Sequence, residues 1–293
     1  MKSIKWYLLN LHVWIMILDY SVGLLTIPII LLPRFAMFPM GILRVFGVPT
    51  MVQFLMVLTV LGYVMISIVA IFENRFYTIC TFPHKSLYSK WRRSWILAHY
   101  FCVVLVIILF GYMSPDQAAS RKHIFESLPC LQNYIAKAPL YILCEDYTYH
   151  LILLVFFTTL ASCEVLVFVG FLIWNSLQQL KTKRMSQRTF KMQKKFFITL
   201  IIQIEVPMVM LLIPFGYEWY TILFNYYNQE YNNIAIMTES LHGFVSTIVT
   251  IFVHRPYRKA LLAMLTRQFG ISRDEKNCKE FHCQTTIVPI HLY

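Results

Sequence analysis

The sequence predicts an all-α, multi-pass membrane protein with six spans, and three features of the chain predict it. Six apolar runs of about 19 or more residues are each long enough for a helix to cross the roughly 30 Å hydrocarbon core of a bilayer. No Lys or Arg lies inside any of these runs. The chain is also 58% hydrophobic and only 14% charged, whereas soluble domains average about 25% charged residues. Because the runs do not alternate apolar and polar residues, they exclude a membrane β-barrel.

The predicted domain organisation follows these runs in order. A transmembrane bundle occupies residues 1–253, with spans at about 6–32, 50–72, 95–113, 151–174, 196–217 and 233–253. An amphipathic cytoplasmic helix follows at 254–270, because Leu261, Leu262 and Leu265 recur with helical spacing against basic neighbours. Residues 271–293 are expected to form a disordered cytoplasmic tail.

The distribution of positive charge predicts the orientation of the spans. If the segments between the runs are assigned alternately to two sides, one side carries 21 of the 26 Lys and Arg residues and the other carries five. By the positive-inside rule, both termini then face the cytoplasm. The net charge of +12 is explained by contact with an anionic lipid surface. We therefore expect the lipid bilayer, and no nucleic acid, as a partner.

Four carboxylates lie inside the apolar runs, where charged groups cost several kcal/mol. They are Asp19, Glu164, Glu205 and Glu239. Three roles are open for them: hydrogen bonds between helices, a pocket for a cation or other ligand, or a proton relay. Glu239 and His242 lie one turn apart in the outer half of the last run, where an external ligand would meet them first. We take His242, Glu239, Glu164 and Glu205 as ligand-binding candidates and Asp19 as a polar core candidate.

Motifs for other chemistry are missing from the sequence. No serine-hydrolase, zinc-protease or paired-aspartate metal motif is present, so we expect neither an enzyme nor a metal or other cofactor. Cys130 and Cys144 lie on the predicted outer, oxidising side, where they could form a disulfide within one loop or remain free.

Four stretches of the chain carry a family resemblance. They are MKSIKWYLLNLH at 1–12 followed by Asp19, IFENRF at 71–76, LPC at 128–130 and HRPYR at 254–258. In these stretches the chain resembles nematode serpentine receptors of class H, which are chemoreceptor-type G-protein-coupled receptors. The resemblance implies a rhodopsin-like helical bundle, a small external ligand and a heterotrimeric G protein as partners. It also implies a multi-pass protein of the plasma membrane, located in sensory-neuron cilia as is typical of the family.

The number of spans departs from this family pattern. The family fold has seven helices with the N-terminus outside, and the stretch at 1–12 resembles the segment that leads into the second helix. We therefore interpret the six runs as the equivalents of helices two to seven, with the first helix missing from a truncated gene model, a short isoform or a decayed gene.

The resemblance also assigns roles to two groups of residues. It places Glu73, Asn74 and Arg75 at the acidic-Arg-aromatic motif of helix three, which controls activation and meets the G protein. Arg75 could equally be an interfacial residue whose charge reaches the lipid headgroups. By the same resemblance, Pro256-Tyr257-Arg258 corresponds to the switch at the end of helix seven.

Two alternative functions are compatible with the same spans. One is a six-span transporter or channel subunit, although the sequence has no arginine ladder, no selectivity-filter loop and no repeated halves. The other is a truncated receptor that no longer signals.

Overall fold

A computed structural model describes residues 4–127, 140–182, 186–253 and 255–268. Within this part of the chain, six helices are long and apolar enough to cross a membrane: Ile4–Thr26, Thr50–Ile79, Lys85–Tyr112, Thr148–Lys181, Gln187–Leu223 and Gln229–Val253. The predicted fold class, a helical membrane bundle with six spans, is confirmed.

The helices and strands follow one another along the chain. The helices are α1 (Ile4–Tyr20), α2 (Ile42–Val45), α3 (Thr50–Ile79), α4 (Lys85–Tyr112), α5 (Gln117–Ser127), α6 (Thr148–Lys181), α7 (Gln187–Leu223), α8 (Gln229–Ser240), α9 (His242–Val253) and α10 (Arg255–Gln268). The strands are β1 (Pro28–Leu31), β2 (Ala36–Pro39) and β3 (Tyr141–Ile142).

The spans of the bundle share two ends, which we name by what lies there. The basic end is formed where α1 begins, α3 ends and α4 begins, and where α6 ends and α7 begins. There the Gln179 side chain donates a hydrogen bond to the Ile79 carbonyl (3.2 Å) and so joins α6 to α3. The sheet end lies opposite, next to the three strands, where the Gln229 side chain of α8 donates to the Ile30 carbonyl of β1 (3.1 Å).

The sheet end carries a small antiparallel sheet in the order β1-β2-β3 that the sequence analysis did not predict. Strand β1 lies within the first apolar run, so the helix of that run ends at Thr26, before the predicted residue 32. Leu31 and Ala36 are paired across β1 and β2, and Ala36 is also paired with Ile142 of β3. All three residues are buried. The signal was hidden because a strand buried on both faces is as uniformly apolar as a span.

Apolar packing between α1 and α3 forms the core of the bundle. The buried residues of this cluster lie one or two turns apart on each helix, and α7 adds two more at its basic half. They include Leu11, Ile15, Leu18, Val64, Ile68, Ile71, Leu200 and Ile204. Helices α1 and α3 are therefore the elements that position the polar side chains described below.

Two of the spans are not regular α-helices near the sheet end. After Tyr20, α1 continues as a π-helix over Ser21–Thr26. The last span is broken at Leu241, between α8 and α9, although the sequence predicted one continuous run. By contrast, α7 continues through both of its prolines. The irregular backbone is thus concentrated where α1 and the last span carry their carboxylates.

Residues up to Val249 form one compact unit, and residues from Thr250 form a second. The second unit contains the end of α9 and the helix α10, in which side chains 258–266 are exposed. Its position on the inner leaflet stays a prediction, as does the tail at 271–293, which lies outside the described residues.

Candidate functional site

Helix α1 carries a polar residue at four levels between the basic end and the sheet end. Each of the four contacts a different helix or pair of helices, so that α1 is connected by polar groups to α3, α4, α7 and α9. The four residues are Tyr7, Asn10, His12 and Asp19. Such groups are costly in a membrane unless they have partners inside the protein.

The strongest of these contacts is an ion pair at the basic end. Glu73 of α3 is completely buried (0% exposed), and Arg92 of α4 is 12% exposed. The Arg92 Nη2 and Nε atoms donate to the two carboxylate oxygens at 2.6 and 2.9 Å. This two-pronged arrangement is the most directional that a guanidinium and a carboxylate can form.

Neighbouring side chains complete the coordination of both charges. The Arg92 guanidinium also donates to the Tyr7 hydroxyl (3.3 Å) and to the Asn74 side-chain oxygen (3.2 Å). It lies 4.2 Å from the centre of the Tyr77 ring, a cation–π distance. The Tyr88 hydroxyl donates to Glu73 (3.1 Å). We call Tyr7, Glu73, Asn74, Tyr88 and Arg92 the basic-end cluster.

The basic-end cluster changes the interpretation of the Glu73-Asn74-Arg75 motif. The carboxylate of the motif is bound by Arg92 of the next helix, and Asn74 joins the same cluster. Arg75 is partly buried two residues further along α3. Sequence reasoning missed Arg92 because it counted the residue only as an orienting charge. A buried acid at the end of an apolar run requires a partner, and this was the signal available.

A second polar contact lies about one turn further along α1. The Asn10 side-chain amide donates to Ser67 Oγ and to the Tyr100 hydroxyl, both at 2.9 Å, and these two oxygens are themselves 2.9 Å apart. The three residues belong to α1, α3 and α4. These contacts leave none of the three side chains to pair with an intramembrane acid.

Asp19 and His242 meet in the sheet-end half of the bundle. His242 Nδ1 lies 3.0 Å from Asp19 Oδ1 and 2.9 Å from the Glu239 carbonyl oxygen. Both neighbours are acceptors, so Nδ1 carries the proton. The hydrogen bond goes to the Glu239 carbonyl, and the contact with the Asp19 carboxylate is electrostatic. The His242 side chain is only 3% exposed, whereas that of Asp19 is 26% exposed.

Gly243 allows this approach. A Cβ atom at position 243 would lie 1.7 Å from Asp19 Oδ2 and 2.4 Å from its Cγ. The Asp19 carboxylate therefore occupies the space of a missing side chain at the start of α9, where the partial positive charge of a helix N-terminus favours an anion. Nothing in the sequence singled out Gly243, although small residues commonly mark close approaches in membrane helices.

The carboxylate of Glu239 completes the group. Its Oε1 is buried without a hydrogen-bond partner, and it interacts electrostatically with Glu218 of α7. Oδ1 of Asp19 and Nε2 of His242 are likewise buried without a hydrogen-bond partner. We call Asp19, Glu218, Glu239 and His242 the sheet-end acid group. It unites two predicted ligand-binding residues with the predicted core residue.

The other two predicted ligand-binding residues lie elsewhere. Glu164 of α6 contacts His99 Nε2 of α4 (3.1 Å). Although the runs contain no Lys or Arg, a histidine on the neighbouring helix provides a partner for this acid. Glu205 is exposed on α7. Among the described residues, no group of three or more His, Cys, Asp and Glu side chains could hold a metal ion.

The remaining predicted residues fall at or beyond the edge of the described structure. Burial raises the pKa of the Cys144 thiol to about 12, and this thiol is free. Cys130 lies outside the described residues, so a disulfide between the two stays a prediction. Pro256, Tyr257 and Arg258 lie in α10, where Arg258 Nη1 donates to the Phe252 carbonyl (3.1 Å).

The fold and these contacts define a multi-pass helical membrane protein whose spans are joined by polar groups in its interior. Residues 1–267 match the family model for the serpentine type 7TM GPCR chemoreceptor Srh. The chain therefore belongs to this chemoreceptor family, and the resemblance to class H serpentine receptors is confirmed. The family is one of receptors and not of enzymes.

A curated relative agrees with the family match. The chain is 26% identical over 263 residues to serpentine receptor class H-72 of Caenorhabditis elegans, an alignment that covers 88% of this chain and 74% of the relative. No solved structure is significantly similar to the chain.

Proposed function

We propose that the protein is a chemosensory receptor that binds an external small molecule at the sheet-end acid group and activates a heterotrimeric G protein from its basic end. The basic end then faces the cytoplasm, as the positive-inside rule predicts. A location in the cilia of sensory neurons would be typical of the family. Membership of a GPCR-type chemoreceptor family supports both halves of the proposal.

The observation that carries the proposal is that one helix connects the two ends. Helix α1 contributes Asp19 to the sheet-end acid group and Tyr7 to the basic-end cluster. A ligand that prefers one position of α1 also shifts the contacts of Arg92 at the other end. We assign Arg75, on the same helix as Glu73, to contact with the G protein.

The exposed basic surface at the start of α7 suits the same role. Arg188, Lys191, Lys194 and Lys195 are exposed there, and several of them line a shallow surface depression together with Met192. A surface of this charge is complementary to an acidic protein surface or to anionic lipid.

A direct test measures nucleotide exchange on a G protein in membranes that contain the full chain. We expect a panel of small molecules to include activators, and we expect the response to be lost when Arg75→Ala and Pro256→Ala are combined. The Glu205→Gln variant, altered at an exposed position of α7, should respond normally. A ligand response that survives the double substitution would contradict the proposed coupling.

A further inference from the structure

The sheet-end half of the bundle contains carboxyl groups on three of its spanning helices. Asp19, Glu218 and Glu239 lie there, while the apolar runs contain no Lys or Arg. Glu218 and Glu239 are close enough to interact electrostatically. Two carboxyl groups in a medium of low dielectric constant disfavour each other's ionisation, and an added positive charge would stabilise their ionised form.

The unpartnered atoms of the sheet-end acid group all have the same hydrogen-bonding character. Asp19 Oδ1 and Glu239 Oε1 are carboxylate oxygens and therefore accept. His242 Nδ1 donates to the Glu239 carbonyl, and in the neutral tautomer that carries its proton on Nδ1 the Nε2 atom is an acceptor. His242 itself is almost completely buried, at 2% exposed. Buried acceptors of this kind rarely remain without a donor.

From these two observations, and on the basis of the function proposed above, we propose that the ligand is a small organic amine bound in its protonated form. An ammonium group supplies both features that the sheet-end acid group lacks, a positive charge and several hydrogen-bond donors. The pair Asp19 and Glu239 would hold the ammonium, and His242 Nε2 would accept one of its hydrogen bonds.

Other ligands fit this site less well. A metal ion needs its ligand atoms at about 2.0 to 2.6 Å, and no described group of three or more potential ligands could hold one. An ammonium, by contrast, is bound at hydrogen-bond distances of about 2.7 to 3.2 Å. An alcohol offers one donor and no charge, so it leaves most of the acceptors unpaired. A carboxylic acid would add a further negative charge to Glu218 and Glu239.

The test compares primary alkylamines with alcohols of the same carbon skeleton. The full chain is placed in lipid nanodiscs, and the midpoint of thermal unfolding is measured as a function of compound concentration, because a ligand that binds only the folded state raises this midpoint. We expect amines to stabilise the protein and the matched alcohols to have no effect at equal concentration. The same compounds are then tested for G-protein activation.

Substitutions that remove one charge at nearly constant volume locate the site. We expect Asp19→Asn and Glu239→Gln each to weaken amine binding about tenfold or more. Glu205→Gln, which removes an exposed carboxylate from α7, should leave amine binding unchanged. The comparison of amines with alcohols in the unsubstituted chain remains decisive if a variant does not fold.

The outcomes separate this inference from the proposed function. Equal stabilisation by alcohols, no stabilisation by any amine, or undiminished amine binding in both Asp19→Asn and Glu239→Gln would overturn the amine assignment. Selective amine binding without any G-protein activation would support the assignment of the site and overturn the proposed signalling function. Activation by alcohols alone would support signalling and overturn the amine.

Discussion

The substitution Gly243→Ala tests whether the close approach of α1 to α9 has the energetic role that the structure gives it. The added Cβ would lie 1.7 Å from Asp19 Oδ2 and 2.7 Å from Oδ1, and both distances are far below contact. The carboxylate must then leave its position against α9, because the alternative is a displacement of the helix backbone. Its 3.0 Å contact with His242 would be lost in either case.

The expected size of the effect is a balance of two terms. Replacing glycine by alanine within a helix stabilises by about 1 kcal/mol. Losing an interaction that involves a charged group costs about 1.5 to 3 kcal/mol, and the lost approach to the helix N-terminus adds to this cost. We therefore expect Gly243→Ala to lower the free energy of unfolding by about 1 to 2 kcal/mol.

A double-mutant cycle with Asp19→Ala provides the assay, with stability measured by thermal unfolding in nanodiscs. Without the carboxylate the new methyl group has space, so Gly243→Ala should become neutral or stabilising in that background. Gly170 of α6 is the matched control, since a Cβ there would meet nothing within 4 Å, and Gly170→Ala should not destabilise. If Gly243→Ala is equally harmful with and without Asp19, the argument from this contact is refuted.

Three further predictions concern other contacts. Arg92→Ala should lower the free energy of unfolding by about 3 to 5 kcal/mol because it leaves the buried Glu73 carboxylate unpaired. Adding Glu73→Gln should restore most of this loss. If thermal unfolding shows no restoration, the ion pair does not have this role. His99→Ala, which removes the partner of Glu164, should lower the free energy of unfolding by only about 1 kcal/mol. A loss as large as that of Arg92→Ala would contradict the expectation that the ion pair at the basic end is the stronger contact. Burial raises the pKa of Cys144 to about 12, so this residue should carry about a thousandfold less thiolate than an ordinary cysteine at neutral pH. Maleimide should therefore label Cys144 only after unfolding, and rapid labelling of the folded protein would show that the thiol is accessible.

The spans could be predicted from the sequence because only one structure satisfies the backbone of a long apolar run in lipid. The residues at which the helices begin and end were harder to predict from the sequence. Residues 28–31 lie in the first apolar run, where periodicity alone does not distinguish a short buried strand from the end of a helix. Pro28 and the two isoleucines that follow it were the signal available for a strand. Lys85 to Ser94 contain several charges, which indicated a loop, yet α4 already begins at Lys85. Where a helix extends beyond the hydrocarbon core of the bilayer, its polar residues are equally compatible with a helix and with a loop.

The sequence identified the polar residues of the candidate site but not which of them contact one another. The intramembrane acids were selected because charged groups are costly in lipid. Asp19 contacts His242, and the backbone carbonyl of Glu239 accepts from the same ring, while their role in ligand binding stays a prediction. Glu164 and Glu205 carry the same cost but lie elsewhere, because the rotation of a helix about its axis decides which residues meet. A single sequence contains little information about that rotation when the helix is apolar on every side.

Helix α1 connects the sheet-end acid group to the basic-end cluster, and this connection has a mechanistic consequence. Tight apolar packing against α3, through residues such as Leu11 and Ile15, prevents α1 from bending gradually, since packed interfaces tend to switch between discrete arrangements. The break at Leu241 and the π-helix after Tyr20 provide deformable backbone next to Asp19. A ligand at the sheet end would therefore move α1 as a rigid segment. The hydrogen bond from Arg92 to the Tyr7 hydroxyl is the contact at the basic end that this movement must change first.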